Sequence, residues 1–198
     1  MGKAVKLIVI LFISVIIAGM TAWASLALFY STPADETTRT NITLGYAACT
    51  IAAFLFIKKR VWTLIGYLIV FCLIVAWWLN IKPSNDRDWQ TDVAVLPYAT
   101  IQDNKVTVHN IRNLSYRTET DFETHYYDKT FDLNTLDSVD LIAVYWMGDA
   151  IAHIMMSFGF QGKDFVAFSI ETRKEKGEGY STIKGFFKQY ELIYIVGD

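Results

Sequence analysis

From Leu7 to Tyr30 the chain runs for 24 residues without a charged side chain. A helix rises about 1.5 Å per residue, so this run is long enough for the ~30 Å hydrocarbon core of a bilayer. Two further uncharged runs follow, Ile42–Ile57 with 16 residues and Val61–Ile81 with 21. The middle run is short, but Thr40 and Asn41 extend it, and Lys58 and Lys59 can snorkel at its other end. A soluble core helix would show a polar face every third or fourth residue, and none of these runs does. The expectation is an anchor over residues 1–82 with three transmembrane helices, about 7–30, 41–57 and 61–81. Ala22-Trp23-Ala24 resembles a signal-peptide cleavage site, but the apolar run continues to Tyr30, too long for a signal h-region.

Charge divides the chain in two. Residues 1–82 hold seven Lys/Arg against two acids, a net +5, whereas residues 83–198 hold eleven against eighteen, a net −7. Lys3 and Lys6 precede the first run and Lys58-Lys59-Arg60 joins the second to the third, while the other connection carries Arg39 against Asp35 and Glu36. The positive-inside rule therefore places the N-terminus and the Lys58-Lys59-Arg60 link in the cytoplasm and residues 83–198 outside. Trp77, Trp78 and Trp89 are expected in an aromatic belt at that outer interface.

Residues 83–91 form a short polar linker. Beyond it lie runs of strand length, rich in β-branched and aromatic residues: 93–101, 106–111, 139–146, 151–160, 165–172 and 192–196. Turn signals separate them at Gln102-Asp103-Asn104, Gly148-Asp149 and Gln161-Gly162-Lys163-Asp164. Ser181–Glu191 reads as a short amphipathic helix capped by Ser181, with Ile183, Phe186, Phe187 and Tyr190 on one face. The stretch Asp121–Asp128 reads as a charged, solvated segment. The expected architecture is membrane-anchored α+β, its outer half (92–198) rich in antiparallel strands.

Only 19% of the residues are charged and 53% are apolar, which excludes a disordered chain, and the acidic outer half argues against a nucleic-acid partner. Both cysteines, Cys49 and Cys72, sit in the apolar runs as packing residues, so the outer half has neither a disulfide nor a thiol nucleophile of its own. Phosphate-binding glycine motifs and metal-binding histidine motifs are missing from the sequence, and neither cofactor nor metal is expected.

One histidine stands out. In Ile151-Ala-His-Ile-Met-Met-Ser-Phe-Gly-Phe160, alternation puts Ile151, His153, Met155 and Ser157 on one strand face. An imidazole fixed on a strand can act as a general base if a neighbour sets its tautomer. The next strand offers Glu171, and Ser169 two residues earlier. An odd hairpin loop sets residue 153 opposite 171, whereas an even loop turns Glu171 to the other side. His153 can equally be a buried histidine bonded to a backbone carbonyl. His109 and His125 lie in less suggestive settings, and the acids around His125 resemble a solvated loop more than a metal site.

Several stretches together resemble a known family. They are Val106-Thr-Val-His-Asn-Ile-Arg-Asn-Leu-Ser-Tyr-Arg117, Asp140-Leu-Ile-Ala-Val-Tyr-Trp146, Ile151-Ala152-His153-Ile154 with Ser157-Phe158-Gly159, and Phe168-Ser-Ile-Glu-Thr-Arg-Lys-Glu-Lys-Gly177. With Gly185–Tyr194 they are similar to the Lnb N-terminal periplasmic domain of Gram-negative bacteria, a family formerly described as a domain of unknown function. The likeness covers about 92–198, and the three-helix anchor resembles that of many members.

The resemblance implies a permuted papain-like fold and cysteine-dependent lipoprotein N-acylation, with acyl transfer from a phospholipid to a lipoprotein amine. Membrane lipids and lipoproteins would then be the partners. It matches His153 to the family's histidine, and Ser169, Glu171 and Arg173 to its S-x-E-x-R strand. The family's thiol, in an Asn-Cys-Thr setting, has no match before Asp198, so the chain is expected to be an inactive first part of a longer catalytic domain. A papain-like peptidase or amidase, or a non-catalytic membrane-anchored protein that docks a partner, are the competing expectations.

Overall fold

A computed structural model describes residues 2–118, 121–146 and 148–198. The chain divides into two compact units, one made of 1–83 with 181–189 and the other of 84–180 with 190–198.

The first unit contains α1 (Lys3–Ser31), α2 (Glu36–Phe56) and α3 (Arg60–Leu79). Among the described residues α1 and α3 are the helices long and apolar enough to cross a membrane. Helix α2 opens with the polar stretch Glu36-Thr-Thr-Arg-Thr-Asn41, and its first turn is capped by Asp35, whose carboxylate accepts from the Thr38 N–H at 3.0 Å. Ala24 and Ala27 of α1 are fully buried, small enough to let helix backbones approach closely. The Tyr67 hydroxyl of α3 donates to the Ile17 carbonyl at 3.2 Å and lies 3.1 Å from Thr21 Oγ1, so these polar groups find partners within the bundle. Cys49 and Cys72 are free and exposed on their helices rather than packed between them.

The first unit also includes Ser181–Gln189. Ser181 caps α4 (Thr182–Phe186) as the sequence indicates, its hydroxyl accepting from the Lys184 N–H. The helix is shorter than expected: Lys188 takes a left-handed φ of 59°, a helix-ending conformation.

The second unit is built of two antiparallel sheets. One has β1 (Tyr98–Gln102), β2 (Lys105–Tyr116) and β3 (Phe122–Asp132) in that order. The other has β4 (Leu136–Tyr145), β5 (Ala152–Phe160), β6 (Asp164–Arg173) and β7 (Glu191–Gly197), also in order. Strand β3 replaces the solvated segment expected at Asp121–Asp128. It pairs with β2 along its length, and Phe131 is its one buried residue, so no apolar alternation announces it. The run expected from Val93 becomes a strand only at Tyr98, because Thr91–Val93 form a 3-10 turn.

A bulge in β2 shapes the core. Asn110 has a left-handed φ of 61°, and the β2–β3 register shifts between Val108 and Ile111. Val108 and Ile111 would face opposite sides of a regular strand, and the extra residue turns both inward. They join Phe131, Phe160, Val166 and Val196 in the principal core, which draws on both sheets. Full burial of such a side chain is worth about 1.5–3 kcal/mol.

Residues 85–94 bind along the end of β6. The Gln90 N–H donates to the Lys174 carbonyl at 3.0 Å, and the Lys176 N–H to that of Asp88 at 2.8 Å. Trp89, expected in an aromatic belt, is instead only 5% exposed within this unit, beneath the Arg173 guanidinium. Arg173 is itself buried and donates to the Val93 and Ala94 carbonyls and to Asn85 Oδ1 at 2.7–2.9 Å. Burial pushes this guanidinium down from its ordinary value, while the Glu191 charge opposes the shift.

Candidate functional site

The β5–β6 hairpin turns through Gln161-Gly162-Lys163, with Phe160 paired to Asp164. Gln161 and Gly162 both adopt positive φ, 54° and 61°, as a tight three-residue turn requires. The odd loop sets Met155 opposite Ser169. Continued by two residues, the same register brings His153 opposite Glu171, on one face of the sheet with Ser169.

The three side chains form a hydrogen-bonded group. Ser169 Oγ donates to Glu171 Oε1 at 2.8 Å and lies 2.7 Å from His153 Nε2. With its proton directed at Glu171, the serine oxygen accepts from Nε2–H, and Glu171 Oε1 also lies 3.2 Å from Nε2. Two acceptors therefore hold the proton on Nε2 and leave the Nδ1 lone pair available as a base.

The surroundings follow from the register. Strand β7 sets Ile195 beside Ser169 and Ile193 beside Glu171. Both isoleucines are buried in a small cluster with Val93, which gives the polar group an apolar support. The His153 and Glu171 side chains are about one-third exposed and line a cleft of about 630 Å³. Arg112, Tyr116, Trp146 and Lys174 line it as well. The two cations come from β2 and from just beyond β6, far apart in sequence and without a shared motif, so sequence reading did not single them out.

His109 is held differently. Nδ1 lies 2.7 Å from Asp128 Oδ2, Nε2 lies 3.1 Å from Thr100 Oγ1, and the ring stacks on Tyr98 at 4.4 Å. Both nitrogens are engaged, so this ring braces the three strands of its sheet. The hydrogen bonds from His109 and from the Asn110 N–H hold the Asp128 carboxyl below the usual carboxylate value. His125 is exposed, with Nε2 3.8 Å from Glu123. Among the described residues no group of three or more His, Cys, Asp or Glu side chains is disposed to hold a metal ion.

No curated protein and no solved structure matches the chain significantly. Residues 122–198, which carry β3 to β7 and with them His153, Ser169 and Glu171, match the model of the Lnb N-terminal periplasmic domain.

Proposed function

We propose that this membrane-anchored protein uses its periplasmic part for cysteine-dependent acyl transfer from a phospholipid to the terminal amine of a lipoprotein, with His153 as general base. The observation that carries the reading is the pair of acceptors, Ser169 Oγ and Glu171 Oε1, at 2.7 and 3.2 Å from His153 Nε2, on a side chain that lines the cleft. The two cysteines of the chain lie in α2 and α3, so the reading takes its thiol from outside these 198 residues, on a permuted papain-like fold. All three helices α1–α3 then cross the bacterial inner membrane, with the N-terminus cytoplasmic.

In the first step His153 Nδ1 takes the thiol proton and the thiolate attacks the ester carbonyl. The acyl–oxygen bond breaks, the imidazolium returns the proton to the departing lysophospholipid hydroxyl, and a thioester remains. In the second step the lipoprotein amine attacks the thioester, His153 accepts its proton, and the amide forms as the thiolate leaves and is reprotonated. Arg112 and Lys174, beside His153 in the cleft, suit the phosphate of the donor lipid.

Replacing His153 by Ala in the parent protein, in membranes containing a lipoprotein acceptor, is expected to lower N-acylation roughly 10²–10⁴-fold. The readout is the mass of the acceptor's N-terminal lipopeptide. Undiminished acylation would sink the role of His153. Labelling of the thiol by a peptide ester but not by a phospholipid would favour the peptidase reading instead.

A further inference from the structure

Ser181–Gln189 belongs to the same compact unit as the apolar helices, although about a hundred residues separate it from α3. Phe187 is 4% exposed and lies between Trp23 and Tyr30 of α1, with ring centroids at 6.0 and 6.1 Å. Its carbonyl accepts a hydrogen bond from the hydroxyl of Ser31, the last residue of α1. Lys188 Nζ donates to the Trp78 carbonyl at 2.7 Å and lies 4.4 Å from the centroid of the Trp78 ring. The ammonium thereby caps the C-terminal end of α3, where helix carbonyls lack partners and the helix dipole is negative.

These contacts fix the level of the segment. Tyr30, Ser31, Trp78 and Leu79 lie in the last turns of α1 and α3, the two helices apolar and long enough to cross a membrane. Tyr and Trp at the ends of such helices mark the headgroup level. Phe187 and Lys188 are spent on the helices, whereas Ile183 and Phe186 remain 54% and 60% exposed. The segment 181–189 carries two lysines and no acid, and Lys184 is next to the exposed Ile183. Two large apolar side chains held at headgroup level beside an ammonium match a phospholipid surface. They continue an interface that α1 and α3 already make with lipid.

We infer that Ser181–Gln189 is an interfacial membrane anchor. Ile183 and Phe186 enter the boundary between headgroups and acyl chains in the leaflet at the C-terminal ends of α1 and α3, and Lys184 meets lipid phosphate. This anchor is independent of the acyl-transfer reading and stands or falls without it.

The test uses the full chain in vesicles of phosphatidylethanolamine and phosphatidylglycerol. Cys49→Ser and Cys72→Ser remove the native thiols, and a nitroxide label is attached at Ile183→Cys, at Phe186→Cys or, as a reference in the second unit, at Ile101→Cys. Labels at 183 and 186 are expected to collide with oxygen several-fold more often than with a water-soluble nickel chelate, with the reverse ratio at 101. A water-like ratio at 183 and 186 would overturn the anchor. So would shielding from both reagents, which would mean that a protein surface covers the segment. Without any label, Ile183→Asp with Phe186→Asp is expected to speed amide exchange across 181–189 at least tenfold in the vesicles. An unchanged rate would also overturn the proposal, and Phe187→Ala shows the rate of an undocked segment.

Discussion

The Arg173 guanidinium lies 4.4 Å from the centroid of the Trp89 ring, and its N–H groups reach the carbonyls of Val93 and Ala94. One buried cation thus fastens residues 85–94 to the end of β6. Asp92 and Val93, at the fastened end, line the cleft that holds His153. Arg173→Lys keeps the charge but loses the planar fork, so acceptors in a buried place go unmatched. The expected cost is about 1–3 kcal/mol per unmatched group. Amide exchange of residues 85–94 should rise before that of β5. Unchanged exchange in both Arg173→Lys and Arg173→Ala would remove Arg173 from this role.

On the proposed reading Ser169 and Glu171 share one task, and their substitutions should not add. Glu171 Oε1 already lies 3.2 Å from His153 Nε2, so Ser169→Ala leaves the ring one acceptor, and Glu171→Gln leaves it the serine. Each is expected to lower acyl transfer in the parent protein roughly 10–100-fold, as loss of an orienting partner does elsewhere. The double variant should fall well short of the product of the two. Strict multiplicativity of the rates would mean that the two residues do not act through one ring.

The apolar runs and most strand positions were legible in the sequence because each rests on local pattern: uncharged length speaks for a bilayer, and alternation speaks for strands. Whether His153 faces Glu171 was not legible, because it turns on the parity of the hairpin loop, which the three-residue turn at Gln161-Gly162-Lys163 makes odd. Strand β3 was not legible, because Glu123, His125 and Lys129 share a face with the buried Phe131 and mask the apolar period. Trp89 was misplaced for a related reason. An indole near an apolar helix suits a membrane interface equally well, and only Arg173, 84 residues later, takes it inside. The cleft cations Arg112 and Lys174 meet through tertiary structure alone.

The His109–Asp128 pair should leave a mark on acid stability. The Asp128 carboxyl is held below its ordinary value of 3.8, chiefly by the His109 hydrogen bond, so the folded state favours the carboxylate. That contribution is fully present above pH 3.8 and is lost as pH falls through the lower, folded-state value. Asp128→Asn should therefore flatten the acid limb of the stability curve below about pH 4. Unfolding followed from pH 2 to 8 checks this, and an identical acid limb in the variant would rule out the linkage.

At Asn110 the left-handed φ of 61° turns both Val108 and Ile111 into the core. Asn110→Gly keeps that backbone freely available and should stay near wild-type stability, apart from the lost side-chain bond to the Leu96 carbonyl. Asn110→Val places a β-branched residue there and should cost about 1–2 kcal/mol or more. Equal stability of the two variants would show that the bulge does not need a left-handed residue.

On the proposed acyl-transfer reading, Arg112 and Lys174 are the residues through which a phospholipid donor would be told from a peptide. Both line the cleft beside His153, and Arg112 is oriented by its Nη1 bond to the Asp92 carbonyl at 3.1 Å. A phosphodiester bound between them gains charge-assisted hydrogen bonds that an uncharged peptide lacks. In the parent protein, Arg112→Gln with Lys174→Gln is expected to raise KM for a phospholipid donor about tenfold, with kcat nearly unchanged, because binding is lost rather than proton transfer. Half-buried charges in a cleft open to solvent are still partly screened by salt, so the wild-type KM should rise with ionic strength more than the variant's. If the variant instead loses kcat at constant KM, the two cations act on the chemistry and not on the phosphate. If neither parameter moves, the donor does not bind through its headgroup in this cleft.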